Sequence, residues 1–287
     1  MVEETKLMLG IYDCIFKAIM LDKKNTDYLK EMIHYITEIP ISDLKNIEVS
    51  NSEHIVNNKK DKKMRSDVIV NVGNRVINLE MNREYYKGVF AKNNAYLQKI
   101  ASSLYVESKD YLEAKSVIQI NFDNFNHFKG GQEIYKFIYK EDKSNIILPD
   151  NPIKYHVDLA FIYEKCYNKP VVNLSKFERY CLLLMADTKE FAKRVAGEDE
   201  IMKKVSERLE ELNQDKEIIG LYNAEIEEAK IMRTKIKYAE KTGMENGMKK
   251  GMEQEKIKIA KSMLNKNMDI NLIAELTGLS INDINSL

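Results

Sequence analysis

Hydrophobic and polar positions alternate most strictly between residues 66 and 82. Val68, Val70 and Val72 alternate with polar or mixed positions, and Arg75 to Asn82 alternates in the same way. Between the two runs stands Gly73-Asn74, a dipeptide suited to a two-residue hairpin turn. Around that turn Val72 faces Arg75, Val70 faces Ile77, Val68 faces Leu79 and Asp67 faces Glu80. Opposed side chains share a face of the sheet, and Asn82, two residues beyond Glu80, lies on that face too. The other face, with Val68, Val70, Val72, Ile77 and Leu79, is apolar and should pack on helices.

The remaining pattern supplies the partners. Residues 5–20 read as an amphipathic helix with Leu7, Ile11, Ile15, Ala18 and Ile19 on one face. A second helix over 26–37 ends before Pro40, and residues 46–56 hold a short strand. After the hairpin come a long helix over 86–107 and strands over 116–122, 133–140 and 153–163. Helix, hairpin, helix and further strands imply an α/β domain over residues 1–175, a sheet with helical cover.

From about residue 175 the chain turns helical and charged. Within 176–256, Gly243-Met244, Gly247-Met248 and Gly251-Met252 recur every four residues. Each Gly costs a helix about 1 kcal/mol relative to Ala, so the repeat reads as an exposed, weakly helical connector. Its glycines would also admit a second helix at close range, which makes a homo-oligomer through the C-terminal helices the alternative. Residues 257–287 form a small helical segment. Ile257, Ala260, Met263 and Leu264 share one helical face, Ile270 to Leu276 another, and Thr277-Gly278-Leu279-Ser280 is a turn and new N-cap. The short third face (Ile281, Ile284, Leu287) carries no Lys or Arg, so a helical cap or protein contact is expected here rather than a DNA-reading helix-turn-helix.

Composition narrows the class. In 287 residues, 45 basic side chains balance 45 acidic ones, which argues against a wholly basic nucleic-acid binder but allows local patches. Cys14, Cys166 and Cys181 form no Cys-x-x-Cys pair and fit a reducing compartment. No signal peptide and no run of the ~20 apolar residues that a membrane helix needs is visible. A cytoplasmic protein without membrane contacts is expected. His34, His54, His127 and His156 are scattered and read as ordinary surface or core residues, not zinc ligands.

The candidate chemistry lies on the polar face of the hairpin. Two carboxylates opposed across a strand pair, with Cβ atoms roughly 5 Å apart, repel each other. Asp67 and Glu80 make sense there if a cation sits between them, although spacing alone is also met by solvated edge charges. Mg²⁺ suits such a pair, because it takes one or two carboxylates, waters and phosphate oxygens, and the Met81 carbonyl could add one more oxygen. Lys59, Lys60, Lys62, Lys63 and Arg65 precede the pair with a single acid, Asp61, among them. A basic loop beside an acidic pair fits a phosphodiester backbone. Lys87, Lys92, Gln98 and Lys99, on the helix after the hairpin, are within reach of the same cleft.

These passages resemble a known family, the Rpn recombination-promoting nuclease and transposase-like group of the PD-(D/E)XK nuclease superfamily. Asp13-Cys-Ile-Phe16-Lys17 is similar to its opening Asp-x-x-Phe-Lys, and Lys63-Met-Arg65-Ser-Asp67-Val68 to its basic lead-in to the first catalytic aspartate. Asn78-Leu-Glu80-Met81-Asn82 resembles its Glu-x-Gln or Glu-x-Asn form of the Glu-x-Lys motif. Tyr96, the Tyr111 to Phe122 segment, the glycine repeats and the closing Ile-Ala-Glu-Leu-Thr-Gly-Leu-Ser also fit, so the similarity runs nearly end to end.

The resemblance implies a restriction-endonuclease-like α/β fold, a central mixed sheet flanked by helices with a helical C-terminal extension. It implies cleavage of DNA with Mg²⁺ or Mn²⁺ and a link to recombination or transposition. Carried over by position, Asp67 and Glu80 bind the metal and Asn82 stands where the wider superfamily has lysine. Asp13 is the candidate third acid. Asn is neutral and can only donate or accept hydrogen bonds, so either Lys92 or Lys99 supplies the cation, or the metal does most of the work, or activity is weak. The alternative is a catalytically weak or inactive DNA-binding or oligomeric adaptor on a nuclease fold.

Overall fold

The computed structural model describes residues 5–50, 66–107, 110, 115–149 and 151–287. The chain forms two compact units, Met1–Glu225 and Ile226–Leu287.

Six strands make the sheet of the first unit: β1 Glu48–Ser50, β2 Val68–Val72, β3 Arg75–Asn82, β4 Ser116–Asp123, β5 Ile134–Phe137 and β6 Ile153–Asp158. Their order is β1-β2-β3-β4-β6-β5. β3, β4 and β6 run parallel at the centre, and the outer pairings are antiparallel. This is the mixed sheet that the family resemblance implied. The hairpin register is also the expected one, with Val68 opposite Leu79 and Val72 opposite Arg75. Gly73 takes a φ of 52° while Asn74 stays negative, the pattern of a type II′ turn, whose first central position favours Gly.

One face of the sheet carries the main core. Val68, Val70, Ile77, Leu79, Ile120, Phe122 and Val157 are buried there. They pack against α1 (Asp13–Met20), α2 (Thr26–Thr37), α4 (Leu159–Cys166), α5 (Lys176–Leu184), α6 (Lys189–Ala196) and α7 (Glu200–Leu212). The opposite face is covered by α3, Val89–Glu107, whose Leu97 and Ile100 meet Ile69, Val76 and Val117.

Three expectations are corrected. The boundary at 175 falls inside the core, because Phe177, Leu183, Val195, Val205 and Leu212 belong to the same buried cluster as the sheet. The first helix begins at Asp13 rather than residue 5. Thr5 to Leu7 lies in extended contact with the start of α6, through Leu7 N to Asp187 O at 2.7 Å and Lys189 N to Thr5 O at 2.9 Å, and a turn then leads into α1 with Tyr12 N bonded to Leu9 O at 3.2 Å. Gly10 is required there, since a Cβ would stand 2.9 Å from the Leu184 carbonyl oxygen. The stretch 153–163 is a strand only as far as Asp158, whose carboxylate then accepts from Phe161 N and caps α4.

Helix α8, Lys216–Leu264, runs unbroken through Gly243, Gly247 and Gly251, around which a Cβ would meet nothing. Met244, Met248 and Met252 are exposed. In the second unit Ala260, Ile273 and Ile284 form a small core between the end of α8, α9 (Ile270–Thr277) and α10 (Ile281–Asn285). Gly278 closes α9 with a φ of 67°, and Ser280 caps α10 as its sequence suggested. No helix among the described residues is long and apolar enough to cross a membrane.

Candidate active site

Parallel strands end their carboxyl termini on one edge of the sheet, and in open α/β sheets that edge borders the ligand crevice. Here β3, β4 and β6 end at Asn82, Asp123 and Asp158, in register with one another. One step back, Glu80, Asn121 and His156 form a second row, and behind it Asn78, Gln119 and Lys154 form a third. All but Lys154 are buried, at most 3% exposed. The sequence shows only alternate polar residues on three strands; the register brings them together as a polar sheet face beneath α3.

The strand side chains of this face leave several acceptors unmatched, and on α3, Asn93, whose carbonyl accepts from Gln119 Nε2 at 3.0 Å, has neither amide atom paired. Asn78 Nδ2 donates to Glu80 Oε1 at 3.1 Å, and Asn82 Nδ2 donates to Asp123 Oδ1 at 2.8 Å. The other Asp123 oxygen stands 2.6 Å from His156 Nδ1. Five buried oxygens find no protein donor: Asn78 Oδ1, Asn82 Oδ1, Gln119 Oε1, Asn121 Oδ1 and Asp158 Oδ2. A buried acceptor without a partner costs about 1–3 kcal/mol. An acceptor-rich layer of this kind suits water or a hard cation.

Asp67 stands one residue before the paired part of β2, and its Oδ2 accepts from Met81 N at 2.8 Å. That bond ties it to β3 near Glu80, whose charge acts on it. Lys17 Nζ lies 3.4 Å from Asp67 Oδ1 and 2.8 Å from Asp13 Oδ2, and Lys92 Nζ lies 4.0 Å from Glu80 Oε2. Asp13 and Lys17 are one turn apart on α1. The N-terminus of α1 has no side-chain cap of its own; Glu225 of α8 accepts from Asp13 N and Cys14 N at 3.0 and 2.8 Å instead. The centre therefore joins Asp13, Lys17, Asp67, Glu80 and Lys92. Asn82 turns its amide away to Asp123, and Lys99 makes no ion pair with either buried acid.

Burial raises the Glu80 carboxyl to about 7, against the pull of Lys92, Asn78, Ser66 and Lys17. Burial, reinforced by the charges of Glu80 and Asp13, holds Asp67 well above the usual carboxylate range. At Asp13 burial acts upward too, but a hydrogen bond with Asp67 and the neighbouring Lys17 win, and its carboxyl is lowered. Two acids that resist ionisation side by side favour a cation over an empty charge pair. Oxygen donors of carboxylate and amide type fit a hard divalent ion.

A second acidic group is more compact. Ligand atoms of Glu133, Cys166 and Glu178 all lie within 4.8 Å of one another. Lys165 already supplies the positive charge there, at 2.6 Å from Glu133 and 3.0 Å from Glu178. Glu178 also closes the capping box of α5 with Ser175. We read this group as structural.

Lys17, Asn78, Asp123 and His156 were not singled out by the sequence as members of the site. Lys17 could have been found from its i+4 spacing to Asp13, and Asn78 from its two-residue spacing to Glu80. Asp123 and His156 carry no such local signal. The basic residues Lys59, Lys60, Lys62, Lys63 and Arg65 lie outside the described residues.

Comparison with known proteins gives two matches. The family model described as PD-(D/E)XK nuclease family transposase matches residues 11–239. That described as the Rpn/YhgA-like nuclease family, C-terminal HTH domain, matches residues 253–287. The second corrects the expectation of a mere helical cap, and the α8–α9–α10 core with its Gly278 turn agrees with a helix-turn-helix. No curated protein and no solved structure matches the chain.

Proposed function

The chain belongs to the PD-(D/E)XK nuclease family transposases, and on that premise we propose that it hydrolyses DNA phosphodiester bonds with Mg²⁺ or Mn²⁺ at the Asp67–Glu80 centre. The observation that carries the reading is the pair of buried carboxylates, both raised, at the carboxyl edge of the parallel strands. Asp67, Glu80 and the Met81 carbonyl would hold the ion. When bound, such an ion polarises a phosphoryl oxygen and makes water a better nucleophile.

The protein's own groups do the rest. Met81 N fixes Asp67 and Asn78 fixes Glu80, so neither carboxylate must reorganise when charge arrives. Lys17 holds positive charge between Asp13 and Asp67. Lys92, beside Glu80, takes the part that lysine plays at position 82 elsewhere in the superfamily. It orients the attacking water and offsets negative charge developing on the phosphate. Lys59, Lys60, Lys62, Lys63 and Arg65 draw the DNA backbone toward the acids. The helix-turn-helix unit holds the substrate through Lys256, Lys258, Lys261 and Lys266 around the end of α8.

Plasmid nicking in Mg²⁺ or Mn²⁺ tests the reading. Asp67→Ala and Glu80→Ala should each slow cleavage by ~10²–10³-fold, the size of a lost electrostatic element in an active site. A wild-type protein that never nicks DNA, or variants that cut as fast as it does, would sink the proposal. A second reading, a DNA-binding or oligomeric adaptor with weak or no catalysis, is favoured by the commitment of Asn82 to Asp123 and by the exposed methionines of α8. Metal-independent DNA binding without cleavage would support it.

A further inference from the structure

A cleft of this protein lies away from Asp67 and Glu80. It lies farther along the same sheet face, over His156, with a volume of about 350 Å³. His156 is in register with Glu80 through Asn121, two strands away, which places the two about 10 Å apart. Around the imidazole stand three phenyl rings: Phe90 at 5.5 Å, Phe128 at 5.3 Å and Phe137 at 5.5 Å between centroids. Phe137 and Tyr139 are 43% and 55% exposed, an unusual state for aromatic rings in a cleft wall.

The floor and rim are polar. His156 Nδ1 stands 2.6 Å from Asp123 Oδ2, and Asn121 Nδ2 lies 3.5 Å from His156 Nε2. Among the described residues Lys154 on the rim has no carboxylate partner; its Nζ meets the Asn94 amide oxygen. A face built for self-association or for a peptide's apolar side chain would have no need of an imidazole, an amide and an ammonium among its rings. An aromatic slot with hydrogen-bonding groups at its base and a cation at its edge matches a nucleobase and its flanking phosphate.

We propose that this cleft takes one unpaired base of a single-stranded DNA segment whose backbone crosses the Asp67–Glu80 centre. The inference rests on the reading of that centre as a nuclease site. The base stacks on Phe137 and Phe128 beside the His156 ring. Lys154 pairs with the adjoining phosphate. The spacing of about 10 Å sets the held base within a few nucleotides of the bond to be cut. The cleft would thereby make the enzyme prefer single strands, or duplexes with an unpaired stretch, over continuous duplex.

Fluorescence anisotropy of the full-length protein tests this with a labelled oligothymidine and, separately, a fully paired duplex, both in chelator so that nothing is cleaved. Phe137→Leu keeps bulk at an exposed position but removes the ring. It should weaken oligothymidine binding about ten-fold, the size of one lost base stack, and leave duplex binding within two-fold. Phe137→Tyr should restore it. Equal binding of oligothymidine by wild type and Phe137→Leu overturns the proposal. So does an equal loss on both substrates, or loss of a dimer in sedimentation with oligothymidine binding unchanged. Plasmid cleavage in Mn²⁺ by the same proteins separates the two readings. Cleavage without ring-dependent binding removes this inference alone. Ring-dependent binding without cleavage removes the nuclease reading and leaves the cleft.

Discussion

The two acidic clusters of the first unit have opposite electrostatics. Around Glu178, Lys165 pairs with both acids, while burial and the neighbouring Glu178 still raise the Glu133 carboxyl. Burial works against ionisation of Glu178, yet the Ser175 N–H, the Cys166 thiol and the Lys165 ammonium bring its carboxyl down to about 2. Around Glu80 the balance fails. Lys92 stands at 4.0 Å rather than in contact, and burial keeps the carboxyl at about 7. The more compact cluster thus already holds its cation, and the looser cluster is the one that asks for one. Proximity of ligand atoms finds acids; charge compensation separates a structural knot from a reactive centre.

The sharpest way to break this contrast is to neutralise one acid of each cluster. Glu80→Gln should reduce plasmid cleavage by ~10²–10³-fold while leaving the protein folded. Glu178→Gln should leave cleavage within a few-fold but lower stability by about 1–2 kcal/mol in urea unfolding, through the weakened capping box and the loss of a Lys165 partner. Reversed outcomes would exchange the roles of the two sites. Next in size, Lys92→Met should slow turnover by ~10²-fold with little change in unfolding midpoint. A variant as active as wild type would remove Lys92 from the lysine role.

The pH dependence separates the clusters further. Glu80 titrates near 7 in the folded chain against an ordinary value near 4.5, so the native state binds its proton more tightly than the unfolded state does. This contribution is fully present below about 4.5 and is lost as pH rises through about 7. Glu178, with its carboxyl near 2, contributes in the opposite sense: its stabilisation is full above about 4.5 and lost as pH falls toward 2. In the metal-free protein, Glu80→Gln should flatten the fall in thermal midpoint between pH 5 and 7. Mg²⁺ binding measured by calorimetry should tighten over the same interval and release protons. Metal binding that ignores pH would place the ion elsewhere. The smallest effect is expected in the second unit. Reversing Lys258 or Lys261 to Glu should weaken duplex binding several-fold and reduce its salt dependence by about one ion per lysine, with cleavage chemistry at saturating DNA unchanged.

Much of the hairpin was legible because its determinants are local. Alternation gives the strands, Gly73 gives the turn, and the turn fixes which residues oppose. The nearness of Asp67 to Glu80 followed from that register alone. The α/β class and the two short helices α9 and α10 were legible for the same reason. The helix expected over 5–20 was not, because the apolar spacing of Leu7 and Ile11 serves an extended segment and a turn equally well. Its conformation was decided by the backbone of residues 184–189 lying against it. Phe177 to Leu212 read as a charged extension because each helix there keeps a polar outer face; only packing shows that the inner faces complete the core of the sheet.

By itself, then, the sequence determined the hairpin, its neighbouring acids and the order of elements, since each depends on neighbours within a few residues. The tertiary structure decided what surrounds the acids. It set Lys17 and Lys92 beside them, turned Asn82 to Asp123, and lined up His156 with Glu80 across a strand between. It capped α1 with a glutamate more than two hundred residues away. Those contacts arise from parallel pairing and helix packing between distant segments, and no local period in the chain encodes which distant residues will meet.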